Sequence, residues 1–280
     1  MDKLKHTLKH MTGKTLAYFI LGLFAVITLF PFYWMAITAL RDSASAITWP
    51  PELWPSEFHW ENFSRLLAAA PFGLYFWNSV IVAIMDLFVS LIVMTCAAFA
   101  FAHYEFRGKE TLFLLFLATM MVPSEALIIT NFRTVAALGW FDTYHVLFLP
   151  YVASVFYIYL LRQSFESVPK QLYLAAKVDG CSDFGYFLKI LLPISKPMII
   201  TIAILKVIAS WNSFMWPLLV TNTSRMRVIS YGLVAFQSEA GSDFPLMMAA
   251  SVFTVGPMII LYLIARKKII EGIALGGLKG

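Results

Sequence analysis

The chain has 280 residues, 60% of them hydrophobic and only 13% charged, with a net charge of +5. A soluble domain is about half apolar and about a quarter charged, so this excess excludes a single water-facing globule and makes lipid the solvent for much of the surface. Aromatic residues reach 16%, which fits interfacial belts, and the two cysteines, Cys96 and Cys181, lie in dissimilar surroundings that predict no disulfide framework.

A bilayer core takes about 20 apolar residues per helix. In chain order, the first stretch of this kind is 16–40, too long and too aromatic for a signal-peptide core. Segment 41–75 follows, with Trp49-Pro50-Pro51, Trp54-Pro55 and Trp60, and reads as ordered rather than as a linker. The second stretch is 76–102, with Asp86 near its start. The third, 112–130, contains Pro123. The fourth, 144–161, contains Pro150, and Arg162 is placed to snorkel at its end. The fifth, 194–220, carries Lys206, and the sixth, 246–265, ends in Arg266-Lys267-Lys268. The predicted class is an all-α membrane protein with six transmembrane helices in a domain spanning 16–266. Segment 1–15 precedes it and tail 267–280 follows, and a short helical loop, 167–193, joins spans four and five.

Lysine and arginine set the orientation. With the N-terminus in the cytoplasm, the inside segments hold 15 of these residues and the outside segments 5, leaving Lys206 within a span. Such a bias predicts that both termini and loop 167–193 are cytoplasmic.

The loop reads as two short helices. Ser167 is a candidate cap with Pro169 in the first turn. Leu172, Ala175, Ala176 and Val178–Asp179 then cover one side of a helix running from Lys170 to Asp179. Gly180 supplies the left-handed residue that ends it. Ser182 caps a second helix, in which Phe184, Phe187, Leu188 and Leu191 follow helical spacing. Pro193 and Pro197 close it and open the fifth span. Periodicity alone leaves two readings open: apolar faces lying on the membrane or the protein's own spans, or a docking element for a partner.

Catalytic signatures are sparse. Gly13-Lys14-Thr15 is half of a phosphate loop, but Leu8 stands where the first glycine belongs. The five histidines show no metal-ligand spacing, and His103 reads as interfacial. Charges inside spans are expensive and often functional. Lys206 is therefore a candidate for lining a pathway or for pairing locally, and Asp86 reads as a structural polar contact.

The stretch from Tyr173 to Pro197 resembles the Glu-Ala-Ala loop of permease subunits of binding-protein-dependent ABC importers. Ala175, Ala176, Asp179, Gly180, Ile190, Leu192, Pro193 and Pro197 match that pattern. Leu174 stands where the family has Glu, so no carboxylate is available there for an ion pair. Asn78-Ser79, Met121-Val122-Pro123, Leu138-Gly139 with Asp142-Thr143, Trp211-Asn212 with Trp216-Pro217-Leu218, and the tail from Gly272 to Gly280 resemble further family signatures in the family's order. The nearest group is the maltose-type carbohydrate permeases.

The resemblance implies a non-catalytic subunit in a bacterial inner membrane, forming half of a pathway for a carbohydrate solute. It implies a homologous second permease, a dimer of ATP-binding subunits that holds ATP and Mg, and an extracytoplasmic solute-binding protein meeting segment 221–244. It implies no cofactor in this chain, and no nucleic acid is expected. ATPase docking is expected at Leu172, Leu174, Ala175, Ala176, Asp179, Gly180 and Phe184. Lys206, Trp211 and Asn212 are the candidates for lining the pathway, although aromatic residues at helical spacing more often pack. The alternatives are a stand-alone secondary transporter with its own coupling-ion site and a membrane enzyme. Neither needs a docking loop, and the second lacks a catalytic cluster.

Overall fold

The computed structural model describes residues 2–239 and 243–277, and side chains of 14–234, 236 and 243–268. The described residues are helical with connecting turns, and no strand occurs among them. The helices are α1 (Asp2–Thr38), α2 (Glu61–Ala69), α3 (Phe72–His103), α4 (Lys109–Thr119), α5 (Ser124–Ala137), α6 (Val155–Glu166), α7 (Lys170–Val178), α8 (Asp183–Tyr186), α9 (Leu192–Ile194), α10 (Lys196–Trp211), α11 (Met215–Val220), α12 (Ile229–Glu239) and α13 (Phe244–Gly277). The tail expected at 272–280 continues α13 as far as Gly277, and 278–280 lie outside the described residues.

Three helical segments, Lys14–Thr38, Phe72–His103 and Phe244–Lys268, are long and apolar enough to cross a membrane alone. Three further candidates are bent pairs. α4 and α5 meet at 95°, the turns at His145–Tyr151 meet α6 at 57°, and Asp183–Ile194 meets α10 at 79°. The cause is local. Pro123 stands at one break, extended just ahead of α5, and Pro197 lies in the first turn of α10, where its missing donor costs nothing. Pro150 holds the fourth stretch in 3-10 turns at His145–Leu147 and Leu149–Tyr151 until α6 begins. The fifth stretch is broken again after Trp211, before α11.

The chain forms two units. One comprises 1–70 and 235–255. In it, segment 41–60 is pinned by buried polar groups. Arg41 is buried, donates to the Glu52 carbonyl and lies 5.1 Å from the Trp34 ring centroid. Asn62 Nδ2 donates to the carbonyls of Ala39 and Arg41 at 3.0 and 2.8 Å, and Arg65 pairs with Asp243 at 2.8 Å. These bonds provide the order expected of this segment. Along α1, side chains from Leu16 to Phe30 are exposed and, Thr28 apart, apolar, as suits a lipid solvent.

The other unit comprises 71–234 and 256–280, built round α3, α6 and α10. At one end its core gathers Ala98, Phe99, Phe101, Leu161, Phe165 and Ile202 with Ala176, Tyr186, Phe187 and Leu191. At the other, Val82, Val146, Phe148, Trp216 and Val220 pack together. Polar tethers complete this second end. Asn78 Nδ2 donates to the carbonyls of Arg225 and Arg227 at 2.8 and 2.9 Å and its Oδ1 accepts from Tyr144 at 2.7 Å. Ser79 Oγ accepts from the Ile229 amide, and Asp142 Oδ1 accepts from the amides of Asn222 and Thr223, each within 2.9 Å.

Candidate functional site

The loop between α6 and α10 is where the chain departs most from a lipid-facing surface. α7 begins after Pro169, which occupies the capping position without a side-chain bond. Ser167 is not the cap that the sequence suggested, because its hydroxyl donates back to the Ser164 carbonyl at 2.8 Å. Ala176 is 5% exposed and belongs to the core, whereas Leu174 is 61% and Val178 88% exposed. Residues 174 and 178 share a helical face opposite 176, so α7 packs its small residue inward and presents its branched ones outward.

α7 ends through backbone bonds fixed by Gly180, whose φ is +74°. The Cys181 amide donates to the Ala176 carbonyl at 2.8 Å and the Gly180 amide to Lys177 at 3.0 Å, the paired bonds of a Schellman terminus. Ser182 then caps α8, its Oγ accepting from the Gly185 amide at 3.1 Å, as its place in the sequence suggested. A brace crosses the bend. Asp183 Oδ1 accepts from Tyr173 Oη at 2.8 Å and from Lys177 Nζ at 2.6 Å. The Asp183 carboxylate holds the Lys177 ammonium above the usual lysine pKa.

After Tyr186 the helix widens to a π-turn at Phe187–Leu191. This corrects the expected single stripe. Phe187 and Leu191, four residues apart, face the core while Phe184 and Leu188 are exposed. Of the seven residues expected to dock, Leu172, Leu174, Ala175, Asp179, Gly180 and Phe184 are exposed, and Ala176 is not. That residue is a correction too: facing the core with Tyr186 and Phe187, it has no surface to offer a partner. The docking residues expected from the sequence omit Val178, the most exposed apolar side chain of α7, and the single side expected to hold both Ala176 and Val178 is divided, with Ala176 inward and Val178 outward.

Aromatic rings seat the loop on α3. His103, the last residue of α3, has its ring centroid 5.0 Å from Phe99, 4.0 Å from Tyr173 and 5.3 Å from Tyr186. Phe99 lies 4.8 Å from Phe187. Beside these rings is a cavity of about 590 Å³, lined by His103, Tyr173 and Tyr186 with Glu105, Lys109, Glu110, Arg162 and Glu166 among others. Arg162 does not snorkel. It is buried, pairs with Glu110 and Glu166 at 2.7 Å each, and lies 4.1 Å from the Phe113 ring centroid.

The pathway candidates do not form one cluster. Lys206 is buried on α10, its Nζ 3.1 Å from Asp86 Oδ1 and 2.8 Å from the Tyr151 carbonyl. Asp86 also accepts from Ser90 at 2.9 Å. Because α3 begins at Phe72, Asp86 sits near the middle of that helix, not near its start. Trp211 is buried, with its ring 5.6 Å from Phe76. Asn212, one residue beyond α10, is exposed. Among the described residues, no group of three or more metal-ligating side chains converges.

Apolar helices long enough to cross a membrane, a buried charge pair joining α3 to α10 and a polar-braced loop mark a polytopic membrane protein. The sequence profile of the binding-protein-dependent transport system inner membrane component matches residues 90–267. The chain is 33% identical to the probable ABC transporter permease protein YurM of Bacillus subtilis, over 97% of this chain and 91% of that one. It is 34% identical to the trehalose/maltose transport system permease protein MalG of Thermococcus litoralis, over 92% and 94%. It is also 34% identical to the arabinooligosaccharides transport system permease protein AraQ of Halalkalibacterium halodurans, over 81% of each. Among solved structures, a bacterial ABC transporter involved in the import of the acidic polysaccharide alginate matches with a TM-score of 0.80 at 23% identity, over 90% of this chain and 94% of that one. The chain belongs to the binding-protein-dependent transport system inner membrane component family and is a membrane permease subunit of ABC importer type, a non-catalytic role.

Proposed function

We propose that the chain forms half of the translocation pathway for a carbohydrate solute and that loop 167–193 couples it to a separate ATPase. Counting α4 with α5, the His145–Tyr151 turns with α6, and α10 by itself as one crossing each, beside the three long helices, gives six spans and leaves 183–193 in the loop. The threefold excess of lysine and arginine in alternate segments then favours cytoplasmic termini and a cytoplasmic loop. The relatives named for trehalose/maltose and for arabinooligosaccharides favour a sugar.

One observation carries the docking reading: a loop braced across its bend by Asp183, holding Leu174, Val178 and Phe184 outward while Ala176 is packed. A stiff element of this kind transmits a push that a flexible loop would absorb. ATP and Mg would be bound by the partner ATPase, whose closure would displace the loop. A homologous second permease would complete the pathway, and an extracytoplasmic binding protein would deliver the solute at the face bearing 221–244. Asn212, exposed where α10 breaks, is the best placed of the pathway candidates. Trp211 and Lys206 would contribute through packing on Phe76 and pairing with Asp86.

The test is purification of the tagged chain from its native membrane, with accessibility labelling of the loop. Co-purification of an ATPase and a second permease, with loop cysteines labelled only from the cytoplasmic side, is the expected result. Labelling of 170–190 from the outside would overturn the reading.

A further inference from the structure

His103 touches both limbs of the bent loop from the end of α3. Its ring is edge-on to Tyr173 of α7 at an interplanar angle of 81° and nearly parallel to Tyr186 of α8 at 28°. Tyr173 and Tyr186 also meet each other, at 5.1 Å. On the opposite side His103 stacks on Phe99, one turn earlier in α3, at 12°. Rings from three elements thus meet in pairs at a single point, and Phe99 adds a second contact to the loop through Phe187.

The loop itself cannot absorb much motion between its limbs. Asp183 ties α8 to both Tyr173 and Lys177 of α7, and the Gly180 terminus fixes the backbone between them. A force applied to its outer face, at Leu174 and Val178, must therefore leave through its inner contacts. Interiors are close-packed and pass strain on rather than damping it. The His103 Nε2 atom is buried and has no hydrogen-bond partner, so packing of the ring, not a polar bond from that nitrogen, makes the contact.

We propose that His103 is a positioning residue for transport: the ring through which displacement of the braced loop is handed to α3. The proposal rests on the importer reading above. It follows that ring shape is what the position requires. Phenylalanine preserves the junction, and alanine leaves the loop attached to its partner but removes the ring that joins both of its limbs to α3.

The two native cysteines make the test direct, because Cys181 lies in the loop and Cys96 is exposed on α3. In the purified complex, with cysteines of the other subunits replaced, an environment-sensitive maleimide dye is placed on Cys96 in a Cys181→Ser background, and separately on Cys181 in a Cys96→Ala background. ATP is added with EDTA, so that it binds without being hydrolysed. The loop dye is expected to respond to ATP in the parent, His103→Ala and His103→Phe complexes alike. The α3 dye is expected to respond in the parent and His103→Phe, and to lose most of its response in His103→Ala. An α3 response in His103→Ala equal to that of the parent overturns the proposal, as does a His103→Phe complex that loses the response. A loop dye silent to ATP in the parent complex overturns the importer reading itself, and a complex that falls apart in His103→Ala but not in His103→Phe assigns the ring to assembly and overturns the coupling role.

Discussion

Lys206 Nζ and Asp86 Oδ1 lie 3.1 Å apart, joining α10 to the middle of α3 across 120 residues of sequence. Both residues are buried, Lys206 also donating to the Tyr151 carbonyl and Asp86 accepting from Ser90. Each charge is tolerable only because the other is present. Removing one partner of a buried pair costs about 3–5 kcal/mol, whereas replacing both with apolar groups of similar size is often neutral. Lys206→Met and Asp86→Leu are each expected to lower the thermal midpoint of the purified protein strongly, and the double variant to recover most of it. Additive losses would show that the pair is not the unit of stability. Uptake by the stable double variant then tells whether Lys206 also serves the pathway.

Leu174 and Val178 face out of α7 and Ala176 faces in. Val178→Asp is expected to weaken retention of the ATPase during purification while leaving the melting temperature unchanged. Ala176→Leu is expected to do the reverse, because overpacking a core costs about 1–3 kcal/mol. Equal effects of the two on retention would contradict the assignment of faces.

Gly180 holds φ at +74° to close α7. A β-branched residue there costs about 1–3 kcal/mol in local strain. Gly180→Val is therefore expected to assemble but to couple ATP hydrolysis to uptake poorly, and Gly180→Asn, which tolerates a left-handed backbone, to be milder. Uptake per ATP hydrolysed in reconstituted vesicles is the measurement, and parental coupling in the valine variant would count against a rigid bend.

Asn78 spends both amide hydrogens on the carbonyls of Arg225 and Arg227. Asn78→Ala leaves those two acceptors and the Tyr144 hydroxyl without this partner, at a cost of about 1–3 kcal/mol per buried group. Segment 222–228 is expected to become the first site of limited proteolysis in that variant. Unchanged cleavage would mean that Asp142 and Ser79 hold the segment without Asn78.

Local chemistry was legible from the sequence. Gly180 and Ser182 announced the bend because their conformational and capping preferences act within a few residues. Pro123, Pro150 and Pro197 marked the breaks, but the angles depend on what packs against each arm. The partnership of Lys206 with Asp86 left no local sign, since nothing in either neighbourhood encodes the other. The same holds for His103, whose loop partners Tyr173 and Tyr186 lie 70 and 83 residues away. The π-turn at Phe187–Leu191 hid behind a regular apolar spacing, because one wider turn leaves residues four apart on the same side.

The bends near Pro123, Ser154 and Ser195 have an implication for solvation. Each leaves helix-terminal amides and carbonyls without the partner that a continuous helix supplies, and the Ser195 hydroxyl is buried with none. Hydrocarbon offers nothing to such groups, so at membrane depth they must look onto protein or water. The broken ends near Pro123 and Ser154 therefore call for protein or water beside them, and acyl chains belong on the exposed apolar flank of α1.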